Sequence, residues 1–333
     1  MKARLALSIV CACFLSLLQG QSPSLRFRAL SQKDGLSQNI VRDILQDQQG
    51  FMWFATENGL NRYDGYQFRK FNTEAGIKSP NLNQIVQSKD GSIWIGSKGG
   101  GLYRFDPLRE NAKLFQLSEA DPFPSTDDHI PKLFVDREDR LWVSTRDGEL
   151  AYLRSERDSF IRVSLQANPG DYAPVVYDIV QDQEDQLWLG TNAGLFQLQA
   201  QPSGDFRIKS YQYETGSTSG LSGNIPWDLD LGPEGDLWIA GYGSGVDRFL
   251  PSQNQWQHYS FSEQSQQGLN SQLLTEITVD QSGIVWIGTQ DRGLNRLDPQ
   301  TGKWTYFKHE AGNPNHIGSN YVLDIYEDRS GGL

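Results

Sequence analysis

Residues 47–64 read DQQGFMWFATENGLNRYD, and the skeleton of this stretch recurs along the chain. Its anchor is Trp53, and tryptophan returns in the same setting at Trp94, Trp142, Trp188, Trp238 and Trp286, 41 to 50 residues apart. Three places before each tryptophan stands a turn residue: Gly50, Gly91, Asp139, Asp185, Gly235 and Gly283. Two places after it comes a small residue, and a glycine follows at Gly59, Gly101, Gly148, Gly194, Gly245 and Gly293. Self-similarity at a period in the forties signals a repeat architecture, in which each unit must stack on its neighbours to bury its apolar faces.

Within the first unit, short apolar or alternating runs separated by turn residues predict strands at Ile40–Gln46, Phe51–Thr56, Gly59–Tyr63 and Gln67–Phe71. Four antiparallel strands per unit make a sheet that is apolar on both sides. Radial packing buries both sides and leaves only short edges, so the expected fold is all-β, a β-propeller of four-stranded blades. The six tryptophans then form the blade cores against neighbouring blades, and truncating an enclosed one to alanine should cost roughly 3–5 kcal/mol.

The two ends of the chain extend this count. Tyr321–Leu333 (YVLDIYEDRSGGL) repeats the opening of the unit, with Asp328 and Gly331 in register and the next tryptophan due one position past Leu333. The expectation is therefore a seven-bladed propeller spanning residues 21–333, with its seventh blade truncated and the chain the leading fragment of a longer protein. Leu25–Leu30 (LRFRAL) has strand character without a blade of its own and is expected to pair near the carboxyl end, closing the ring.

Residues 1–20 differ in kind: Lys2 and Arg4 precede an apolar run from Leu5 to Leu18, and Gly20 offers a small residue for cleavage. The run is shorter than the roughly 20 residues that span a bilayer, so it reads as a secretory signal peptide. Both cysteines, Cys11 and Cys13, fall inside it, which leaves the expected mature chain without disulfides or thiolate metal sites. A net charge of −11 with pI near 4.9 argues against nucleic acid or an anionic membrane surface as partner, because both recruit clustered Lys and Arg.

No catalytic motif is present: there is no G-x-S-x-G, H-E-x-x-H or Walker loop, and the four histidines (His129, His258, His309, His316) are scattered. No cofactor or metal is expected. The binding candidates lie in the turn after each tryptophan strand, at Glu57, Asn58, Lys98, Arg146, Asp147, Asn192, Tyr242, Asp291 and Arg292. Variable connections at Ser118–Asp127, Gln166–Pro174 and Glu214–Gly223 add surface loops of the kind that carry recognition. A polar residue fourteen places before the tryptophan (Asn39, Asp128, Asn224, Gln272, Asn320) is expected to hold its loop through an Asx-type turn. The hub is expected to house no reactive cluster of acids and histidine.

The aspartate repeated six places before the tryptophan (Asp47, Asp136, Asp182, Asp280) separates the unit from the sialidase turn, which places it five before. WD40 repeats are excluded because no aspartate follows the tryptophan. The pattern resembles the two-component regulator propeller family, D-x-x-G-x-hydrophobic-W-hydrophobic-G-T-x-x-G-L-x-R-hydrophobic-D. The best copies are Asp280–Asp298 (DQSGIVWIGTQDRGLNRLD) and Asp47–Asp64, and Gly35–Phe68 is similar to the start of such sensor domains. Copies three and four lack the R-hydrophobic-D ending, having Tyr152-Leu153-Arg154 and Gln197-Leu198-Gln199.

That resemblance implies a periplasmic ligand-sensing module ahead of a transmembrane helix and a cytoplasmic output, a histidine kinase in a phosphorelay or a diguanylate cyclase. It implies a small-molecule or oligosaccharide ligand, and a homodimer formed through a region beyond this chain. The competing readings are a secreted polysaccharide-active propeller hydrolase or lyase, which needs convergent carboxylates or a His/Tyr pair in one cleft, and an adhesion scaffold.

Overall fold

The computed structural model describes residues 25, 27–115, 129–154, 157–166, 173–216, 219–261, 267–313 and 315–333. The signal-peptide reading of residues 1–20, the loop Ser118–Asp127 and Asp128 lie outside them. So do parts of the loops Gln166–Pro174 and Glu214–Gly223.

Six four-stranded antiparallel sheets form, each ordered as in the sequence. The inner strands are Val41–Gln46, Leu82–Gln87, Lys132–Val135, Val176–Gln181, Pro226–Leu231 and Leu274–Val279. The tryptophan strands follow at Met52–Thr56, Ile93–Ser97, Leu141–Ser144, Leu187–Thr191, Leu237–Gly241 and Val285–Thr289. Third strands run Gly59–Tyr63, Leu102–Asp106, Leu150–Arg154, Gly194–Ala200, Gly245–Leu250 and Leu294–Asp298. The outer strands are Phe68–Phe71, Asn111–Leu114, Arg157–Arg162, Phe206–Tyr211, Gln255–Tyr259 and Lys303–Phe307. The blades pack in chain order, giving a β-propeller ring.

The repeated aspartate fixes the turn between the first two strands. Asp47 Oδ1 accepts from the amides of Gln49 and Phe51 at 2.8 and 3.0 Å, while Oδ2 accepts from the Trp53 indole at 2.7 Å. The same indole bond joins Trp142 to Asp136, Trp188 to Asp182 and Trp286 to Asp280 at 2.7 to 2.8 Å. In blade two Ser88 Oγ is the acceptor. Blade five has Gly232 at this position, and Asp236 supplies the carboxylate to Trp238 from the other side of the turn, at 2.7 Å. A Cβ on Gly232 would stand 2.1 Å from Asp236 Oδ1, so the glycine leaves the room that this substitute carboxylate fills.

The core lies between blades. Trp53, Leu60 and Phe71 of blade one pack with Leu82, Ile93 and Phe105 of blade two, and each later pair repeats the arrangement. The six tryptophans are 0 to 5% exposed, as blade-core residues require.

Six sheets are present among the described residues, and the expected seventh is not. Tyr321–Leu333 forms no strand ladder, yet it bridges the sixth blade and the first. Thr275 and Thr278 donate their hydroxyls to the carbonyls of Val322 and Ile325 at 2.6 and 3.1 Å, and the Arg329 amide donates to Gln46 Oε1 at 2.9 Å. The amino-terminal stretch also differs from expectation: around Phe27 it forms no strand, and the ring packs edge-on against Phe307 of the sixth blade's outer strand, 5.4 Å between centroids.

Candidate ligand site at the channel mouth

Five inner strands share an irregularity at their first turn of pairing. The register with the tryptophan strand slips between Val41 and Asp43, Leu82 and Gln84, Val176 and Asp178, Pro226 and Asp228, and Leu274 and Glu276. A bulge of this kind inserts an unpaired residue and re-aims its side chain. The inserted residues, Arg42, Asn83, Tyr177, Trp227 and Thr275, all line one cavity of about 530 Å³ at the channel mouth. Blade three has no slip, and Pro131, just ahead of its inner strand, takes the corresponding place in the lining.

The next residue in each inner strand, ten before the tryptophan, forms a ring around the hub: Asp43, Gln84, Lys132, Asp178, Asp228 and Glu276, with Asp324 at the matching place in the bridging stretch. Six of these seven side chains tie their sector to the next. Asp43 accepts from the Ile85 amide at 2.6 Å, Gln84 from Leu133 at 3.0 Å, Asp178 from Leu229 at 2.9 Å and Asp228 from Ile277 at 2.7 Å. Asp324 accepts from the amide of Ile44, which brings the ring back to blade one. Lys132 is ion-paired to Asp178.

Burial, and then Asp324, push the Asp43 carboxyl well above the usual carboxylate range. Burial and Asp178 do the same to Asp228, and burial with Asp228 and Asp324 to Glu276. Burial raises Asp324 to about 6, against the pull of Lys132. Burial alone would lower Lys132, but Asp178, Asp228 and Asp43 outweigh it and hold its ammonium above an ordinary lysine.

This ring corrects the expectation of a hub free of clustered acids. The sequence signal was there, an acid set before an aliphatic residue in Asp43-Ile44, Asp178-Ile179, Asp228-Leu229, Glu276-Ile277 and Asp324-Ile325.

Around the mouth the side chains separate by chemistry. Tyr177, Trp227 and Tyr242 form a ladder on one side, with centroid spacings of 4.6 and 5.7 Å. Facing blades one to three supply Arg42, Lys98, His129 and Arg146. Arg42 is ion-paired to Glu57, the Arg146 amide donates to the His129 carbonyl at 3.0 Å, and Lys98 bridges His129 through the backbone. Burial, then Arg146, Lys98 and Arg42, depress the His129 pKa.

Of the residues proposed from sequence, Arg146 lines the main cavity, and Glu57 and Lys98 line an adjoining hollow with Arg42. Tyr242 joins the aromatic ladder. Asn192 is turned to the segment that enters its blade's inner strand, its Oδ1 accepting from the Val175 amide at 2.9 Å, and the Asn58 amide donates to Thr56 Oγ1 at 3.1 Å, closing its turn. Asp147 is exposed on its turn. Asp291 accepts from the Ser271 hydroxyl at 2.6 Å and pairs with Arg292, and neither reaches the cavity, which Gln290 lines instead.

The loop asparagines are latches. Asn39, Asn224 and Asn320 accept from the amides of Gln32, Tyr213 and His309 at 2.9, 3.2 and 2.8 Å. His258 serves another latch, its Nδ1 lying 2.7 Å from Asp247, which holds the Ser222 amide. Among the described residues no group of His, Cys, Asp and Glu is arranged to hold a metal ion, and no helix is long and apolar enough to cross a membrane.

Residues 35–58 and 173–193 match the two component regulator propeller family. A stretch of 63 residues, 19% of this chain, is 40% identical to Histidine kinase P4 of Formosa agariphila, of which it spans 5%. The chain superposes with a TM-score of 0.74 and 22% identity on the extracellular domain of a protein from B. thetaiotaomicron assigned as a hybrid two component system, over 93% of this chain and 40% of that one. Virginiamycin B lyase from Staphylococcus aureus superposes at 0.59 and 15% identity, over 80% and 83% of the two chains. These structural likenesses establish the propeller fold.

Proposed function

From the premise that this chain carries two component regulator propeller repeats, we propose that it is the ligand-sensing propeller of a transmembrane signalling protein, exported to the periplasm or cell surface. The supporting observation is the mouth itself: five bulged inner strands turn otherwise unrelated side chains into one cavity, at the rim where a propeller scaffold carries variable residues. The bridging stretch around Asp324 supports a ring of seven sectors. The output is a histidine kinase feeding a phosphorelay, or a diguanylate cyclase, and the protein works as a dimer. A ligand acts by binding one arrangement of that dimer more tightly than another.

The test uses the full-length protein in membranes, with phosphoryl transfer from ATP or cyclic dinucleotide synthesis followed across a panel of small molecules and oligosaccharides. A response lost in Trp227→Ala and in an Arg146→Glu variant, with melting unchanged, supports the reading. A response indifferent to both variants removes the mouth from sensing.

The convergence of Asp228, Glu276, Asp324 and His129 on one cavity favours, as a second reading, a polysaccharide-active hydrolase or lyase. Turnover of a polysaccharide by the wild type and its loss in Glu276→Gln would establish that reading in place of sensing.

A further inference from the structure

The chain has 41 acidic residues against 30 basic ones, so a patch of one sign at the mouth runs against the composition of the whole. Yet three neighbouring blades set Arg42, Lys98, His129 and Arg146 side by side there. Arg42 has Glu57 as partner, but Arg146 and Lys98 form no ion pair among the described residues. The acids beneath do not balance them. Asp178 is taken up by Lys132, Asp43, Asp228 and Glu276 are held toward their neutral forms by burial and by neighbouring acids, and Asp324, raised to about 6, keeps its charge near neutral pH beside Lys132. Two cations without an ion partner beside the cavity, Arg146 and Lys98, leave the site prepared for an oxyanion, because charge-assisted hydrogen bonds are the strong ones. Crowding among these cations, after burial, already lowers the His129 pKa, which an incoming anion would relieve.

Across the cavity the surface is of another kind. Trp227 stands on a bulge, 36% exposed, with Tyr177 packed against it, and Tyr321 opens on the same cavity at 49% exposed. Exposed aromatic faces of this sort accept a flat, weakly polar surface, a sugar ring or an aromatic ring. A cavity of about 530 Å³ falls within the range of small-molecule sites. The uncharged Asn83 and Gln84 of blade two and Thr275 and Gln290 of blade six line the same cavity, the first three already bonded to a neighbouring sector.

We infer that the mouth binds an acidic ring compound, its carboxylate, sulfate or phosphate held by Arg146 together with Arg42, Lys98 and His129, and its flat face laid on Trp227 and Tyr177. This deepens the sensing proposal and rests on the mouth being its ligand site. Two sources share the chemistry, an acidic sugar and an aromatic acid.

The test is binding to the purified chain, followed by the Trp227 indole resonance in NMR, assigned with Trp227→Phe, at millimolar probe. Glucuronate is compared with glucose, and benzoate with benzyl alcohol. At least one acidic probe should bind, its neutral counterpart about tenfold or more weaker. Arg146→Gln, a change at an exposed rim residue, should weaken the acidic probe by about tenfold or more and leave the neutral one unchanged. Which acidic probe binds identifies the sugar or aromatic source. Neutral and acidic probes binding alike, an Arg146→Gln chain binding as the parent does, or silence of Trp227 to both acids would each overturn the inference. Acid-selective binding in the chain without any output change in the full-length protein would instead leave this site standing and defeat the sensing proposal.

Discussion

Blade five offers a rescue experiment on the turn that anchors every blade. Elsewhere the acceptor for the tryptophan indole stands six residues before it, whereas here Asp236 provides it from two residues before. Asp236→Ala removes the acceptor of Trp238 and of Arg248, whose Nε lies 2.5 Å from the carboxylate in a setting only 15% exposed. Losing the charge-assisted bond to Arg248, which is left with only Glu234 at 3.4 Å, and stranding the buried indole N–H should together cost about 3–5 kcal/mol. Gly232→Asp alone drives a second carboxylate into space already filled, since its Cβ would meet Asp236 Oδ1 at 2.1 Å, and should cost about 1–3 kcal/mol. No left-handed backbone opposes a side chain at position 232, because its φ lies outside the region reserved for glycine. Summed as independent changes the two would cost roughly 4–8 kcal/mol. Together they should rebuild the arrangement of blade one, so the double variant is expected to be more stable than Asp236→Ala, with a favourable coupling of about 2 kcal/mol or more. Denaturant midpoints of the four proteins at one pH measure the coupling. A double variant that unfolds at or below the additive value would refute the claim that the two positions are alternative sources of one carboxylate.

Three further outcomes follow from the hub and the rim. Burial raises Asp230 to about 7 and Asp324 to about 6; a carboxyl raised in the folded state contributes stability that is complete below pH near 4 and lost as pH climbs through 6 to 7. The melting temperature should therefore fall between pH 5 and pH 7.5, and Asp230→Asn, which keeps an acceptor for the Val279 amide, should flatten that fall; an unchanged slope would contradict it. Arg146→Ala should move the His129 titration up toward the ordinary value, read by NMR of the imidazole, and no movement would mean that Arg146 does not charge the site. Asp324→Ala should speed hydrogen exchange at the Ile44 amide and cost about 1–3 kcal/mol, whereas Asp324→Asn keeps the acceptor and should protect that amide nearly as the parent does.

The strands were readable because turn chemistry and alternation coincide in each unit: the expected Gly59–Tyr63 is the observed strand, and the others in blade one shift by a single residue. The tryptophans sit between blades for the reason the repeat gives, that a sheet apolar on both sides needs two neighbours. The hub was harder to read. Alternation places a side chain on one face or the other, so a bulge that turns Arg42 or Trp227 toward the channel leaves no mark in the pattern. The same limit displaced the reading in blade six, where the cavity is lined by Gln290 while the charged Asp291 and Arg292 satisfy one another and Ser271.

How a signal would leave this mouth is constrained by what holds the blades. Five apolar cores with tryptophans at most 5% exposed, and a hub in which Asp43, Asp178 and Asp228 each grip the backbone of the next sector, oppose any sliding of blade on blade. Interiors packed in this way respond to strain by resisting it. A ligand touching Arg42, Arg146 and Trp227 spans blades one, three and five, so it would brace the ring further. Under the sensing proposal the differential affinity must then lie outside the blades, in whether the mouth faces solvent or another protein surface. Under that proposal the ligand would compete with such a surface or complete it, and the exposed residues Lys98, Arg146 and Tyr242 at the rim would be where that choice is made.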